Sequence, residues 1–355
     1  MELSNLQKKI VETTEDNVIV LSAAASGKTR VLTERVHYLL ENGADPNKIV
    51  VFTFTNAAAE EMKKRIGDQG KNCFINTVHS YAYYLLMKNG IDTSSAINEE
   101  DFDEFFRLIK QNPYVIEEVD YLLLDEAQDS NKLQFEFILE MIKPKSLFIV
   151  GDLRQSIYEF NGAKPEIFLD LIYDSKFTTY NLNENYRNAP AILTFAKRLI
   201  SGSLLNDYDL YDDSICMNEE VIGSVNEVEY LPSRIISLIE EDPQYGNWFI
   251  LTRNNEQLDD IIAFLKKANI PCDTFKKSQI SSDEFKQKMA DNTVKVLTVH
   301  AAKGLEADNV MVIGVAKKAI KAEERRVAYV AATRARKKLI WMHFQKKKKK
   351  VRSWE

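Results

Sequence analysis

Two segments combine residue types suited to chemistry on a phosphate. The first is Ser22-Ala-Ala-Ala-Ser26-Gly27-Lys28-Thr29, which follows the apolar run Val18–Leu21 and opens the helical pattern Arg30–Leu40. Strand, loop and helix in that order make a P-loop. Backbone N–H groups at the helix start cradle the phosphates, with Ser26, Gly27, Lys28 and Thr29 as the binding residues. Lys28 reaches the β and γ oxygens, and the Thr29 hydroxyl can ligate Mg²⁺. The loop has Ser22 in place of the first glycine of the strict pattern, and alanines follow it. Alanine suits negative φ but blocks positive φ and crowds an approaching phosphate. The second segment is Tyr121-Leu-Leu-Leu-Asp125-Glu126-Ala-Gln128-Asp129. Its apolar residues predict a buried strand that presents two adjacent carboxylates. Asp125 can hold Mg²⁺, and Glu126 can orient or deprotonate the attacking water. Taken singly, each segment also reads plainly, as a Ser-rich helix cap with a surface lysine and as an acidic helix N-terminus. Together they are the two parts of a Mg²⁺–nucleotide site.

The elements that must position these residues follow one rhythm. The runs Val18–Leu21, Ile49–Phe54, Tyr121–Leu124 and Ser146–Val150 each precede a polar turn and an amphipathic stretch, and Trp248–Leu251, Val294–Val299, Val310–Val315 and Leu339–His343 repeat the pattern. This predicts α/β architecture with mainly parallel sheets flanked by helices. The acidic stretch Asn206–Glu229 has few periodic signals, and Lys346–Lys350 reads as a solvated tail. At 355 residues, 45% hydrophobic and 28% charged, the composition excludes a disordered or collagenous chain and suggests two domains. No apolar run nears the ~18 residues of a membrane span, and Met1–Ile10 lacks a signal core. Three scattered cysteines, Cys73, Cys216 and Cys272, suggest neither a disulfide framework nor a zinc site, so a reducing cytoplasm is expected. The net charge of −6 hides an asymmetry. Val315–Glu355 carries 15 Lys+Arg against 3 Asp+Glu, and the rest 32 against 50. A basic end on an acidic body leaves a nucleic-acid partner open.

Read with Leu3–Gln7, Thr53–Ala59, Asn76–Ser80, Gly151–Ala163, Asn185–Arg187, Leu251–Gln257, Thr298–Asp308 and Glu323–Ala335, the two segments resemble superfamily 1A helicases of the UvrD/PcrA/Rep type, in order along nearly the whole chain. Gly-Asp-Leu-Arg-Gln-Ser-Ile-Tyr-Glu-Phe-Asn-Gly-Ala and Tyr-Val-Ala-Ala-Thr-Arg-Ala are the most distinctive stretches. The resemblance implies two tandem RecA-like P-loop NTPase lobes, with ATP and Mg²⁺ bound in the cleft between them. Lobe 1 would span residues 1–182, with a reduced helical insertion at about 81–118. Lobe 2 would span 183–345 without a large insertion, and 346–355 would be the basic tail. It further implies that Gln7 reads the adenine edge, that Arg30 and Tyr186 sandwich the ring, and that Glu306 meets the ribose. Gln155 would sense the γ-phosphate, and Arg187 and Arg334 would be arginine fingers. Arg334 by itself also reads as part of a solvated basic helix.

The track for a single strand would use Phe54, Asn56, His79, Ser80, Tyr158 and Phe160 in the first lobe and Thr298 and His300 in the second. Stacking aromatics with hydroxyl and cationic contacts are what such a track needs. For the aromatics, core packing is the plain alternative. The family usually has tryptophan and arginine where this chain has Phe160 and Asn161, and lysine where it has Ala57, which should weaken the grip on phosphate. The expectation is an ATP-dependent single-stranded DNA translocase/helicase moving 3′→5′. Strand separation is less secure than translocation, because only 40 residues separate Gln257 from Thr298, where relatives carry a duplex-engaging insertion. A duplex junction and a loading protein are conceivable partners, and a monomer is the expected form. The alternative is a nucleotide-switched module that binds DNA or a partner without processive unwinding. RNA in place of DNA also stays open, since no residue reads a 2′-hydroxyl unambiguously.

Overall fold

A computed structural model describes residues 2–200, 214–275, 282–319 and 321–344. The predicted tail, residues 346–355, and the acidic residues 206–213 lie outside them. The chain divides into two compact units, one ending at Tyr186 and one beginning at Arg187, with Ser214 and Ile215 grouped with the first.

In the first unit, six strands form one sheet: β1 (Asn17–Ser22), β2 (Ile49–Phe52), β3 (Phe74–Asn76), β4 (Tyr121–Leu124), β5 (Ser146–Gly151) and β6 (Thr178–Leu182), in the order β3-β2-β4-β5-β1-β6. Every pairing is parallel. The apolar runs are continuous because both faces are covered. Ile19, Leu21, Val50, Phe52, Leu122 and Leu124 enter one core. The alternate residues Val18, Val20, Ile49, Val51 and Leu123 enter the other. Helices α1 (Asn5–Val11), α2 (Lys28–Glu41) and α3 (Asn56–Ile66) pack on the second of these faces. Helices α4 (Val78–Lys88), α5 (Ser94–Asn98), α6 (Glu104–Gln111), α7 (Lys132–Glu136) and α8 (Pro165–Tyr173) contribute to the first. The stretch expected to hold a reduced insertion thus contains the rest of α4, then α5 and α6. A two-residue strand, β7 (Glu184–Asn185), ends the unit's main segment.

The second unit starts with α9 (Pro190–Ile200); the short strand β8 (Ile215–Cys216) follows in the chain. Its sheet contains β9 (Ser224–Glu229), β10 (Trp248–Thr252), β11 (Cys272–Asp273), β12 (Val294–Thr298), β13 (Ala307–Ile313) and β14 (Ala335–His343), in the order β11-β12-β10-β13-β14-β9, again all parallel. Helices α10 (Pro232–Glu240), α11 (Asn255–Lys267), α12 (Ser282–Ala290) and α13 (Ala322–Ala332) complete it. Two parallel sheets flanked by helices bear out the α/β architecture that the repeated rhythm predicted, and they match the tandem RecA-like lobes that the resemblance implied.

Among the described residues six strands escaped the apolar-run reading: β3, β6, β9 and the two-residue strands β7, β8 and β11. Each lies at a sheet edge, and β9 mixes exposed and half-buried residues instead of forming a buried run. The stretch Asn206–Glu229, which lacked periodic signals, therefore ends in a strand. β2 stops at Phe52, short of the predicted Phe54: Thr53 N–H still reaches the Asn76 carbonyl at 3.0 Å, and the chain then turns into α3, which Thr55 caps.

Candidate nucleotide site and strand track

Because all six strands of the first sheet are parallel, their C-terminal ends share one edge, where open α/β sheets bind ligands. β1 delivers the loop Ala23–Gly27, β2 Phe54, β3 His79 and Ser80, β4 Asp125 and Glu126, β5 Gln155 and Tyr158, and β6 Tyr186. Distant sequence positions are thereby gathered without long reaches.

The phosphate loop is held from several sides. Ser22 Oγ donates to the Gly151 carbonyl at 3.0 Å, and Ala23 N–H to the Leu182 carbonyl at 2.8 Å. Asn185 Nδ2 donates to the Ala24 carbonyl at 2.9 Å, and Tyr186 N–H to the Ala25 carbonyl at 3.0 Å. Ala25 adopts φ +59°, in the left-handed region where a Cβ is strained. The loop therefore takes the positive φ that its alanines were expected to oppose. Gly27 caps α2 at φ +85°, and a Cβ there would lie 2.8 Å from Gln7 Nε2. Gln7 is 2% exposed and donates to the Ser26 carbonyl at 3.1 Å. A capping box with Ser4 fixes its rotamer, since Gln7 N–H donates to Ser4 Oγ and Ser4 N–H to Gln7 Oε1, both at 3.1 Å. Arg35 holds α1 in place by donating to the Val11 and Thr13 carbonyls at 2.7 Å.

Lys28 is not the surface lysine of the plain reading. Its Nζ lies 3.0 Å from Glu126 Oε1. Burial by itself would lower its pKa, but Glu126, Asp152 and Asp125 outweigh that and raise it above its ordinary value. Glu126 stands at φ +51°, a strained conformation that swings its carboxylate toward Lys28. Asp125 is 8% exposed and accepts the Glu126 N–H at 2.9 Å. Gln128, which residue-type reasoning passed over, is fully buried and donates to Glu126 Oε2 at 2.5 Å, while its Oε1 accepts the Asp152 N–H at 2.8 Å. Gly151 leaves room for it, for a Cβ there would be 2.9 Å from Gln128 Oε1. Asp152 in turn accepts Gln155 Nε2 at 2.7 Å, so the expected γ-phosphate sensor has a fixed side chain. Ser26 Oγ is buried, with no hydrogen-bond partner among the described residues. A hydroxyl without a partner among the described residues, a glycine without space for a Cβ, a half-buried lysine and a carboxylate pair fit a Mg²⁺-bound nucleoside triphosphate.

Beside this cluster the aromatics are outside the core. Phe54 is 40% exposed and stacks on Tyr158, with centroids 5.1 Å apart and planes 27° apart. Tyr158 in turn meets Phe160, 65% exposed, at 6.0 Å. Asn56 is exposed at the start of α3. Ser80 Oγ pairs with the Thr77 hydroxyl at 2.8 Å. His79 Nε2 lies 3.0 Å from Asp103 Oδ1, so that nitrogen of the expected track histidine is engaged inside the protein. Arg30 and Tyr186 both belong to this unit. The Tyr186 phenol is raised mainly by desolvation, and the Arg30 charge opposes that shift.

The second unit sorts its predicted residues onto two edges of its sheet. Thr298 and His300 follow the C-terminal end of β12, and Thr298 Oγ1 accepts the Ala301 N–H at 3.2 Å. Arg187, Glu306 and Arg334 gather near the N-terminal ends of β13 and β14. The Arg187 guanidinium pairs with Glu306, which also faces Arg336 at 3.8 Å. Arg334 is 1% exposed, against the alternative of a solvated basic helix. Its guanidinium donates to the Val330 and Leu305 carbonyls at 3.0 and 3.2 Å and to Thr333 Oγ1 at 3.1 Å. Among the described residues no helix is long and apolar enough to cross a membrane.

The family profile of the UvrD/REP helicase N-terminal domain matches residues 3–116 and 106–176, and that of the UvrD-like helicase C-terminal domain matches 180–280 and 273–346. The chain is 27% identical to a probable DNA helicase II homolog of Mycoplasma capricolum subsp. capricolum, over 76% of this chain and 51% of that protein. It is 26% identical to a probable DNA helicase of Mycoplasma pneumoniae, over 96% and 83%. It is also 26% identical to the ATP-dependent DNA helicase PcrA of Staphylococcus aureus, over 75% and 50%. The match thus spans about half the length of the first and third relatives.

Proposed function

The chain belongs to the UvrD/REP helicase family, and from that premise we propose that it is an ATP-driven motor that moves along single-stranded DNA in the 3′→5′ direction. The observation that carries this reading is the Lys28–Glu126 pair at 3.0 Å, beside Asp125 and Gln155, on the same sheet edge as the exposed Phe54–Tyr158–Phe160 ladder. Chemistry and strand share one edge, so a shift at either reaches the other through short loops.

In this reading Lys28 exchanges Glu126 for a phosphate oxygen, which releases Glu126 to orient and deprotonate the attacking water. Thr29 and Asp125 would hold Mg²⁺, which when bound would supply positive charge to the phosphates. Gln128 keeps Glu126 in place, and Gln155 follows the γ-phosphate. Gln7 reads the adenine edge, and Arg30 and Tyr186 flank the ring. Arg187 and Arg334 supply cationic charge to the transferring group, and Glu306 meets the ribose. In the strand track, Phe54, Tyr158 and Phe160 stack on bases, while Asn56, Ser80, Thr298 and His300 contact the backbone. A cytoplasmic monomer, with or without a loading protein, is the form proposed.

Ala25 favours a second reading. A strained alanine in the phosphate loop would slow turnover, as in a nucleotide-switched clamp that binds DNA without processive unwinding. The test is ATP turnover with and without single strands, followed by unwinding of 3′-tailed, 5′-tailed and blunt duplexes. A turnover rate indifferent to DNA would reject the motor.

A further inference from the structure

His79 is the track residue whose surroundings the nucleotide chemistry does not explain. Its Nε2 meets Asp103 Oδ1 at 3.0 Å, and its Nδ1 lies 3.5 Å from Gln134 Nε2. Asp103 caps nothing by its side chain, although it precedes α6. Its carboxylate is spent entirely across the fold, for Asn131 Nδ2 donates to both of its oxygens at 3.1 Å. Protonation is disfavoured there, chiefly by the His79 bond, so Asp103 stays an anionic acceptor for both partners.

Asn131 is a node. It follows the carboxylates by five residues and caps α7 through a capping box with Gln134. Its backbone bridges to Ala163, and Lys164 N–H donates to the Ser130 carbonyl at 2.9 Å. Ala163 closes the segment that carries Gln155, Tyr158 and Phe160. One carboxylate from the stretch between α5 and α6 therefore joins the histidine after β3, the loop after β4 and the aromatic segment after β5. A small cavity lies alongside, lined by Phe54, His79, Asp125, Ser130 and Gln134 among others, so this seam is not rigidly filled.

We propose that Asp103 and Asn131 are positioning residues that couple the strand track to the catalytic carboxylates. They hold His79 to the loop after Glu126, so that a strand on the track changes the rate of hydrolysis. The proposal rests on the motor reading above. Spatial linkage alone does not demonstrate coupling; a double-mutant cycle does.

The experiment compares wild type, Asp103→Asn, Asp103→Ala, Asn131→Ala and the double variant Asp103→Ala/Asn131→Ala. For each, ATP turnover without DNA, turnover at saturating oligothymidylate, and thermal stability are measured. Couplings of this kind span roughly 5–150-fold. The expected result is unstimulated turnover within about twofold of wild type and a fall of about tenfold in the maximal DNA-stimulated rate for each single variant, with the double variant no worse than either single. A purely structural role would lower both rates together with the melting temperature, and that outcome overturns the proposal. Full stimulation in Asp103→Asn and Asp103→Ala overturns it as well. Absence of DNA stimulation in the wild type would instead reject the motor reading itself.

Discussion

The phosphate loop shows how single residues divide between chemistry and strain. Lys28 and Glu126 offset each other in a partly buried cluster, so removing either unbalances the local charge as well as deleting a group. Lys28→Ala and Glu126→Gln are each expected to cut DNA-stimulated ATP turnover by at least 10²-fold with the fold intact, read by steady-state kinetics and circular dichroism. Full turnover in Lys28→Ala would remove the site assignment. Ala25 sits at φ +59°, where an L side chain costs about 1–2 kcal/mol and glycine nothing. Glycine also loosens the unfolded chain, which offsets about 0.4–1 kcal/mol of that relief. Ala25→Gly should therefore stabilise the protein by up to about 1 kcal/mol, measured by denaturant titration. A clear loss of stability would show that the Cβ makes a compensating contact. Cys73 is a simpler case. Burial pushes its thiol up to about 11, so at pH 8 about one molecule in a thousand carries the thiolate. Slow iodoacetamide labelling at pH 8 that accelerates as pH rises toward 11 is expected, and mass spectrometry reads it.

At the scale of elements, the parallel sheet converts sequence order into a shared edge. The runs for β1, β4 and β5 were legible because strands buried on both faces are apolar throughout. β9 was not, because an edge strand with one face toward solvent is diluted by Ser224, Asn226 and Glu227. The phosphate loop and the acidic pair were legible by type and spacing. Gln128 was not, since nothing in a lone glutamine announces that its amide spans Glu126 and Asp152. The track element makes its own prediction. Each base stacked on an aromatic side chain contributes roughly 1–3 kcal/mol, so Phe54→Ala and Tyr158→Ala should each weaken oligothymidylate binding about 5–150-fold in fluorescence anisotropy. Unchanged affinity in both would take the ladder out of the track.

For the molecule as a whole, the net charge of −6 is no objection to a polyanionic partner if the proposed track, with exposed Phe54 and Phe160, grips by stacking rather than by cations. Ala57 and Asn161 are both exposed beside it, at positions where the family usually carries cations. Binding to single strands should therefore depend weakly on salt. Ala57→Lys and Asn161→Arg should each steepen the slope of log affinity against log salt by about 0.7, the value for one phosphate contact on a single strand. An unchanged slope in both variants would place the strand elsewhere.

The amino-acid sequence by itself carried the strand–helix rhythm and the paired phosphate-loop and carboxylate segments, which rest on local periodicity and residue type, and it carried the family through the resemblance of its ordered motifs. Tertiary structure alone decided the rest. It set Lys28 against Glu126, put Ala25 and Glu126 in the left-handed region, and enclosed the Arg334 guanidinium among backbone carbonyls. It also tied His79 to Asp103, 24 positions away in the chain. Burial, φ sign and hydrogen-bond partner are set by what packs nearby, and neighbours from distant segments leave no mark on local spacing.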